Sequence, residues 1–146
     1  MKKISKLIVH CSATREDQPI SLETIRSWHV DGRGWKDVGY HYIVHLDGSI
    51  SKGREDSVQG AHTAKYNNHS LGICYIGGVE KDGKTPKDTR TCAQVETLEC
   101  LLHTLKQMHT DSVVHSHSDF SNKACPSFDA TGEYKHISEH NYEENC

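Results

Sequence analysis

The apolar residues of the chain follow two different spacings, one typical of strands and one typical of helices. Short apolar runs rich in β-branched and aromatic residues predict β-strands at 6–11, 39–46, 70–76 and 112–117. Asp47-Gly48, after the second run, is a hairpin-turn signal, so we expect 49–52 to return as an antiparallel neighbour. The pattern therefore predicts a sheet.

Apolar residues three and four positions apart predict two helices. Ser21 can cap the first helix, which is expected to end at Asp31-Gly32-Arg33-Gly34. Its inward side is expected to carry Leu22, Ile25 and Trp28 or His29. The second helix begins with Thr91-Cys92-Ala93-Gln94, which is a capping-box pattern. Its expected core-facing side carries Val95, Leu98, Leu101, Leu102, Leu105 and Met108.

The elements follow the order strand, helix, hairpin, strand, helix, strand, which predicts an α/β fold. We expect a single domain over residues 1–146, with a central mixed β-sheet flanked by helices. The polar residues of 80–90 predict a surface loop. The acidic and polar stretch 131–146 predicts a C-terminal tail or a short helix.

Composition excludes several classes of protein. Only 34% of the 146 residues are hydrophobic and no apolar run reaches about 18 residues, which argues against membrane insertion. The net charge of −3, from 17 basic and 20 acidic residues, argues against a nucleic-acid-binding protein with a basic face. The first apolar run near the N-terminus is too short for a signal peptide, so we expect none.

Histidine and cysteine are both frequent, with 12 and 6 residues, which raises the expectation of a transition-metal site. In the absence of a signal peptide, we expect most of the cysteines to be reduced thiols. Cys74, Cys92 and Cys100 are interpreted as small buried hydrophobic residues.

His115, His117 and Cys125 form a candidate metal-binding set. On a strand, His115 and His117 would point to the same face, so both could bind one metal, or one could support the other. Cys125 follows after a short loop that Pro126 stiffens. Two imidazoles, a thiolate and one open position describe a catalytic zinc site, whereas the Cys-x-x-Cys pair of a zinc finger is missing from the sequence. His10, at the end of the first strand, is a further candidate, although a histidine there is more often structural.

Tyr40 and Lys123 could surround such a metal. A phenol can orient or deprotonate a zinc-bound water, and an ammonium group can stabilise the oxyanion of a tetrahedral intermediate. Each residue also has a simpler interpretation, Tyr40 as an aromatic strand residue and Lys123 as a solvated loop lysine.

Four segments taken in chain order strengthen the case for an enzyme. They are His10-Cys11-Ser12-Ala13-Thr14, Asp37-Val38-Gly39-Tyr40-His41-Tyr42, Asp47-Gly48 and Lys123-Ala124-Cys125-Pro126-Ser127-Phe128-Asp129. In this order the chain resembles the type 2 N-acetylmuramoyl-L-alanine amidases, which include phage and bacterial cell-wall amidases and animal peptidoglycan recognition proteins. The resemblance covers roughly residues 5–130.

The resemblance implies one Zn²⁺ per chain, with His10, His117 and Cys125 as its ligands and His115 as a neighbour only. It implies a catalytic role for Tyr40 and stabilisation of the transition state by Lys123.

The resemblance also implies substrate contacts. His62 matches a histidine on the wall of the substrate cleft. Relatives commonly carry Asn or a similar polar residue before Ser-Ile-Gly, whereas here His69 precedes Ser70-Leu71-Gly72 and Asn68 stands one position earlier. Asn68 and His69 are therefore candidates for contacts with the peptide stem.

The implied activity is hydrolysis of the amide bond between N-acetylmuramic acid and L-alanine in peptidoglycan, as a phage or prophage endolysin performs it. A non-catalytic peptidoglycan-binding module is the alternative, and a regulatory protein partner stays open. We expect the chain to reside in the host cytoplasm and to reach the wall with the help of a separate release or delivery factor.

Overall fold

The fold is built on a five-stranded mixed sheet, seen in a computed structural model that describes residues 3–140. Its strands are β1 (Lys6–Cys11), β3 (Tyr42–Val44), β4 (Ile50–Lys52), β5 (Ser70–Tyr75) and β7 (Val113–Ser116). Their order is β4-β3-β5-β1-β7, and only the β3–β4 hairpin is antiparallel. A small second sheet pairs β2 (Thr14–Arg15) with β6 (Gly78–Val79). The predicted α/β fold is therefore confirmed.

The helices begin where the capping signals predict. The Ser21 side chain accepts a hydrogen bond from Thr24 N, and α1 (Leu22–Arg26) continues into a π-helical turn over Ser27–Asp31. Thr91 and Gln94 form the predicted capping box at the start of α2 (Cys92–Met108). Two short helices follow near the C-terminus, α3 (Ala130–Glu133) and α4 (Lys135–Ser138). None of the helices between residues 3 and 140 has the length and apolar character needed to cross a bilayer.

The two faces of the sheet pack against different partners. Leu7 and Val9 of β1 belong to a core cluster with Leu98, Leu102 and Leu105 of α2. Each such side chain stabilises the fold by roughly 1.5–3 kcal/mol when it is fully buried. Successive residues of a strand alternate between faces, so His10 lies on the face opposite to α2.

Two predicted strands are shorter than expected. The run 39–46 forms a strand only over Tyr42–Val44, because the backbone just before it pairs with a loop instead. There, Arg54 N donates to the Tyr40 carbonyl and Ala61 N donates to the Gly39 carbonyl. The run 112–117 ends as a strand at Ser116, and His117 begins a 3₁₀ turn.

The predicted burial of α2 is wrong at its edges. Val95 is 37% exposed and Met108 is 61% exposed, because only one side of a straight helix can face a sheet. Cys92 and Cys100 are also exposed, whereas Cys74 is buried on β5 as predicted. All five cysteines within residues 3–140 are free thiols.

The C-terminal stretch is packed where the structure describes it. Tyr134 and Ile137 are buried beside α2, and Val114 N donates to Ser138 Oγ. The helices α3 and α4 therefore occupy the first part of the stretch for which a tail or a short helix is expected. Residues 141–146, which the same expectation covered, lie outside the described residues.

Candidate metal centre

Three potential metal ligands converge at one edge of the sheet. One ligand atom from each of His10, His117 and Cys125 lies within 4.8 Å of the other two. The parallel pairing of β1 with β7 sets Val9 opposite Ser116, so the residue that follows each of them, His10 or His117, reaches the same edge of the sheet. The ring centroids of His10 and His117 are accordingly 4.4 Å apart.

A tightly anchored loop brings Cys125 to the two histidines. Cys125 Sγ accepts a hydrogen bond from Cys11 N at 3.1 Å and lies 3.9 Å from His10 Nδ1. The buried Tyr75 hydroxyl donates a hydrogen bond to the carbonyl of Pro126, the residue after Cys125, at 2.7 Å. Ser127 Oγ donates to the Gly78 carbonyl at the same distance. The loop is thus fixed to the ends of β5 and β6.

His115 does not join the cluster. Its Nδ1 lies 3.7 Å from Asp119 Oδ2, and its ring packs edge-on against Phe120. In the parallel register Ile8 pairs with His115, so His115 lies on the same face of the sheet as His10, although its side chain is directed away from the cluster. The ligand set implied by the resemblance is the set that the fold brings together.

His62 contacts the far side of the His10 ring. His62 Nδ1 lies 2.9 Å from His10 Nε2, and the two rings meet edge to face. The backbone of His62 is held by Asn67, whose Oδ1 accepts from His62 N at 3.0 Å. Gly72 leaves room for this ring, because a Cβ at that position would lie only 2.6 Å from His62 Cγ.

The histidines of the centre are held neutral. Burial, with smaller effects from His62 and His117, lowers the pKa of His10 well below its ordinary value. Burial also lowers the pKa of His62 to about 3, and burial together with Lys123 lowers the pKa of His117. A neutral imidazole offers a lone pair to a metal ion.

Two observations show that the residues present fit a zinc ion. Among the described residues, nothing hydrogen-bonds the buried His117 Nδ1. The neighbouring Cys11 and burial raise the pKa of Cys125, so its thiolate would need a cation beside it. Two nitrogens and one sulfur with a position left over form the donor set of a catalytic zinc site.

A cleft of about 630 Å³ opens above the cluster. Tyr40 lines it with its ring centroid 5.1 Å from that of His10, and burial raises the pKa of the phenol well above 10. Lys123 lies on the exposed loop at the rim of the same cleft. The structure therefore brings all three candidate ligands, both candidate catalytic residues and His62 to one place.

The sequence interpretation missed part of the cleft wall. Trp28, His29, Arg33 and Trp35 line it, from α1 and the segment that follows. Trp28 is 44% exposed, so its position on the apolar side of the helix reflects its place in the cleft wall and not burial in the core. An aromatic residue followed by an arginine and a second aromatic residue is the signal that could have identified this wall.

Asn68 and His69 do not line the cleft. They lie in the 3₁₀ turn Asn67–His69, where His69 Nδ1 is 2.5 Å from Asn68 Oδ1. Asn67 is the residue of this turn that reaches the cleft. A contact of Asn68 or His69 with substrate stays a prediction.

Comparison with known proteins gives consistent similarities. The profile of the N-acetylmuramoyl-L-alanine amidase family matches residues 1–128. The endolysin of Escherichia phage T7 is 42% identical over 123 residues, which are 84% of this chain and 80% of that protein. The endolysin of Klebsiella phage KP32 is 41% identical over 128 residues, which are 88% and 83% of the two chains. The structure of bumblebee PGRP-SA superimposes with a TM-score of 0.77 at 27% identity, covering 92% of this chain and 82% of that one.

Proposed function

Because the chain belongs to the N-acetylmuramoyl-L-alanine amidase family, we propose that it is a zinc-dependent hydrolase of peptidoglycan. The scissile bond is the amide between the lactyl group of N-acetylmuramic acid and the L-alanine of the stem peptide. The observation that carries the proposal is the convergence of His10, His117 and Cys125 at the base of a cleft. One Zn²⁺ per chain would be held by these three residues.

A bound zinc supplies a Lewis acid for the carbonyl and an activated water near neutral pH. The chain's own residues do the remainder. The neutral phenol of Tyr40 donates a hydrogen bond to an oxygen atom at the reacting centre and so orients that atom. The ammonium of Lys123 stabilises the negative charge that develops on the carbonyl oxygen. Loss of the amide bond then leaves a carboxylate on the lactyl group and a free amine on L-alanine.

The cleft wall suits the two parts of a muramyl peptide. Trp28 and Trp35 offer ring faces for a sugar or for the apolar parts of a stem peptide. Arg33, whose guanidinium lies over the Trp35 ring at 5.2 Å, can bind a carboxylate of the stem. To reach the bacterial cell wall from the host cytoplasm, the protein would depend on a separate release or delivery factor.

The test is digestion of purified peptidoglycan by metal-loaded protein. We expect new free amino groups that belong to L-alanine, measured by amine labelling and mass spectrometry of the released stems. A chelator should stop their release and added zinc should restore it. Cys125→Ser should lose the activity and the zinc ion of this cluster while the circular dichroism spectrum stays unchanged. The matched control is Cys92→Ser, which changes an exposed thiol and should keep full activity.

The competing function is a binding module without catalysis, because a recognition protein shares the fold. A module of that kind would bind muropeptide fragments and release no L-alanine amine, even with one zinc per chain. That result would contradict the proposed hydrolase.

A further inference from the structure

A second group of potential metal ligands lies on the outer side of α2. Glu99 and His103 of α2 and His136 of α4 each present a ligand atom within 4.8 Å of the other two. None of the three lines the cleft. Since α2 packs on the sheet face opposite to His10, this group is separate from the candidate metal centre.

We propose that Glu99, His103 and His136 form a second, surface site for Zn²⁺ or a similar divalent transition metal, which fastens α4 onto α2. The site goes beyond the proposed hydrolase activity and does not depend on it. Its occupancy would stabilise the folded chain, because an ion that binds only the native arrangement shifts the folding equilibrium towards that arrangement.

The two helices hold the three side chains close together before any ion binds. Glu99 and His103 are four residues apart on α2, so they lie on the same side of that helix. Ile137, the residue after His136, is fully buried, which fixes α4 against the body of the protein. His136 Nε2 consequently lies 3.0 Å from Glu99 Oε1, and the His103 and His136 ring centroids are 5.9 Å apart.

The donor types indicate the class of ion. Imidazole nitrogens favour Zn²⁺, Ni²⁺ and Cu²⁺, whereas Mg²⁺ and Ca²⁺ favour oxygen ligands only. Ligands at about 2.0–2.2 Å from zinc in a tetrahedral site are about 3.3–3.6 Å apart, so small side-chain rotations would close the group. Glu99 is 48% exposed and His136 is 55% exposed, which leaves them free to make those rotations and leaves room for a water ligand.

His140, two residues beyond the end of α4, is placed to assist. It is four residues after His136, and its ring centroid is 6.1 Å from that of His103. A rotation of this side chain would offer the ion a third imidazole. Glu99, His103 and His136 are sufficient for the proposed site, and His140 can be tested afterwards as a further ligand.

The test counts zinc in untagged protein, because a histidine tag would bind metal itself. The parent protein carries Cys92→Ser and Cys100→Ser, so that exposed thiols cannot contribute ligands. After equilibrium dialysis against Zn²⁺, we expect about two zinc ions per chain in the parent, one in His136→Ala and one in Cys125→Ser. Glu96→Gln, another exposed carboxylate of α2, is the matched control and should keep both.

Cobalt substitution separates the two sites by their spectra. Cobalt at Cys125 should give a thiolate charge-transfer band, whereas cobalt at the surface group should give only weaker d–d bands that His136→Ala removes. In the Cys125→Ser protein, Zn²⁺ should raise Tm, and the further change His136→Ala should abolish this shift.

The surface site is contradicted if His136→Ala binds as much zinc as the parent and Tm in Cys125→Ser does not respond to Zn²⁺. Failure of the proposed hydrolase has a different signature, since the zinc-loaded parent protein would then release no L-alanine amine from peptidoglycan. The two proposals can therefore fail independently.

Discussion

His62 and Cys125 contact opposite nitrogens of the same imidazole. His62 Nδ1 lies 2.9 Å from His10 Nε2, while Cys125 Sγ lies 3.9 Å from His10 Nδ1. When His10 Nε2 carries the proton and donates a hydrogen bond to His62 Nδ1, His10 Nδ1 keeps a lone pair on the side of Cys125. The resemblance assigned His62 to the substrate cleft, and the structure gives it a contact with a ligand as well.

His62→Ala is therefore expected to weaken zinc binding about 10- to 100-fold, because a partner that orients a ligand contributes to metal affinity. His62→Gln should recover part of the loss, since its amide oxygen can accept the same hydrogen bond. Competition with a chromophoric chelator measures the affinity. A variant with unchanged zinc affinity and a raised KM would instead assign His62 to substrate contact alone.

Gly72→Ala should disturb the contact between His10 and His62 without replacing either histidine. The added Cβ would come within 2.9 Å of three atoms of the His62 ring, so the ring must move. We expect a loss of unfolding free energy of about 1–3 kcal/mol and weaker zinc binding. Denaturant unfolding and the chelator assay measure the two effects.

Gly32→Ala is the control for Gly72→Ala, because nothing lies within 4 Å of a Cβ at that position. Equal losses in the two variants would show that the His62 ring does not depend on the space beside Gly72.

Lys123→Ala is expected to keep the zinc content of the unchanged protein and to lower kcat about 100-fold or more, because one donor to the developing oxyanion is removed. Steady-state kinetics on a soluble muropeptide and metal analysis of the same sample measure both quantities. Loss of zinc in this variant would mean that Lys123 supports the metal centre and not the transition state.

The ion pair between Arg90 and Glu133 should make stability depend on pH. The Arg90 side chain, only 6% exposed, donates to Glu133 and lowers the pKa of that carboxyl below 4.5 in the folded chain. A carboxyl with a lowered folded pKa stabilises the protein above about pH 4.5, and this contribution disappears as the pH falls through the folded pKa.

Glu133→Gln should accordingly reduce the unfolding free energy by up to about 1 kcal/mol at pH 7 and by progressively less below pH 4.5. Urea titrations of metal-free protein at several pH values measure the difference. Glu139→Gln, which removes a largely exposed ion pair with Lys135, should show little effect at any pH. A loss for Glu133→Gln that stays constant at acid pH would contradict the assignment.

Local signals predicted the fold well where they are strong. The capping box at Thr91 and the leucine spacing after it placed α2, and the apolar run at 6–11 placed β1 to the residue. Exposure at Val95 and Met108 was missed, because the spacing of apolar residues does not reveal how wide the covering surface is. The backbone at Gly39 was read as strand because its partner, the loop up to Ala61, has no pattern of its own.

The site was predicted less evenly. Alternation along the strand left open whether His115 and His117 share one metal, and it could not show that the His115 side chain packs against Phe120 instead. The grouping of His117 with His10, which the fold brings together, came from the resemblance, since no local pattern encodes the register between β1 and β7. Trp28 was missed for the same kind of reason, because its neighbours across the cleft belong to distant segments.

The distance along the chain between His10 and Cys125 has a consequence for synthesis. These two donors are 115 residues apart, and parallel strand pairing must bring them together before they can share an ion. A ribosome-bound chain that ends before Cys125 lacks the thiolate and has only His10 and His117 of the three candidate ligands. The candidate metal centre of this protein therefore cannot be completed during synthesis until Cys125 has emerged from the ribosome.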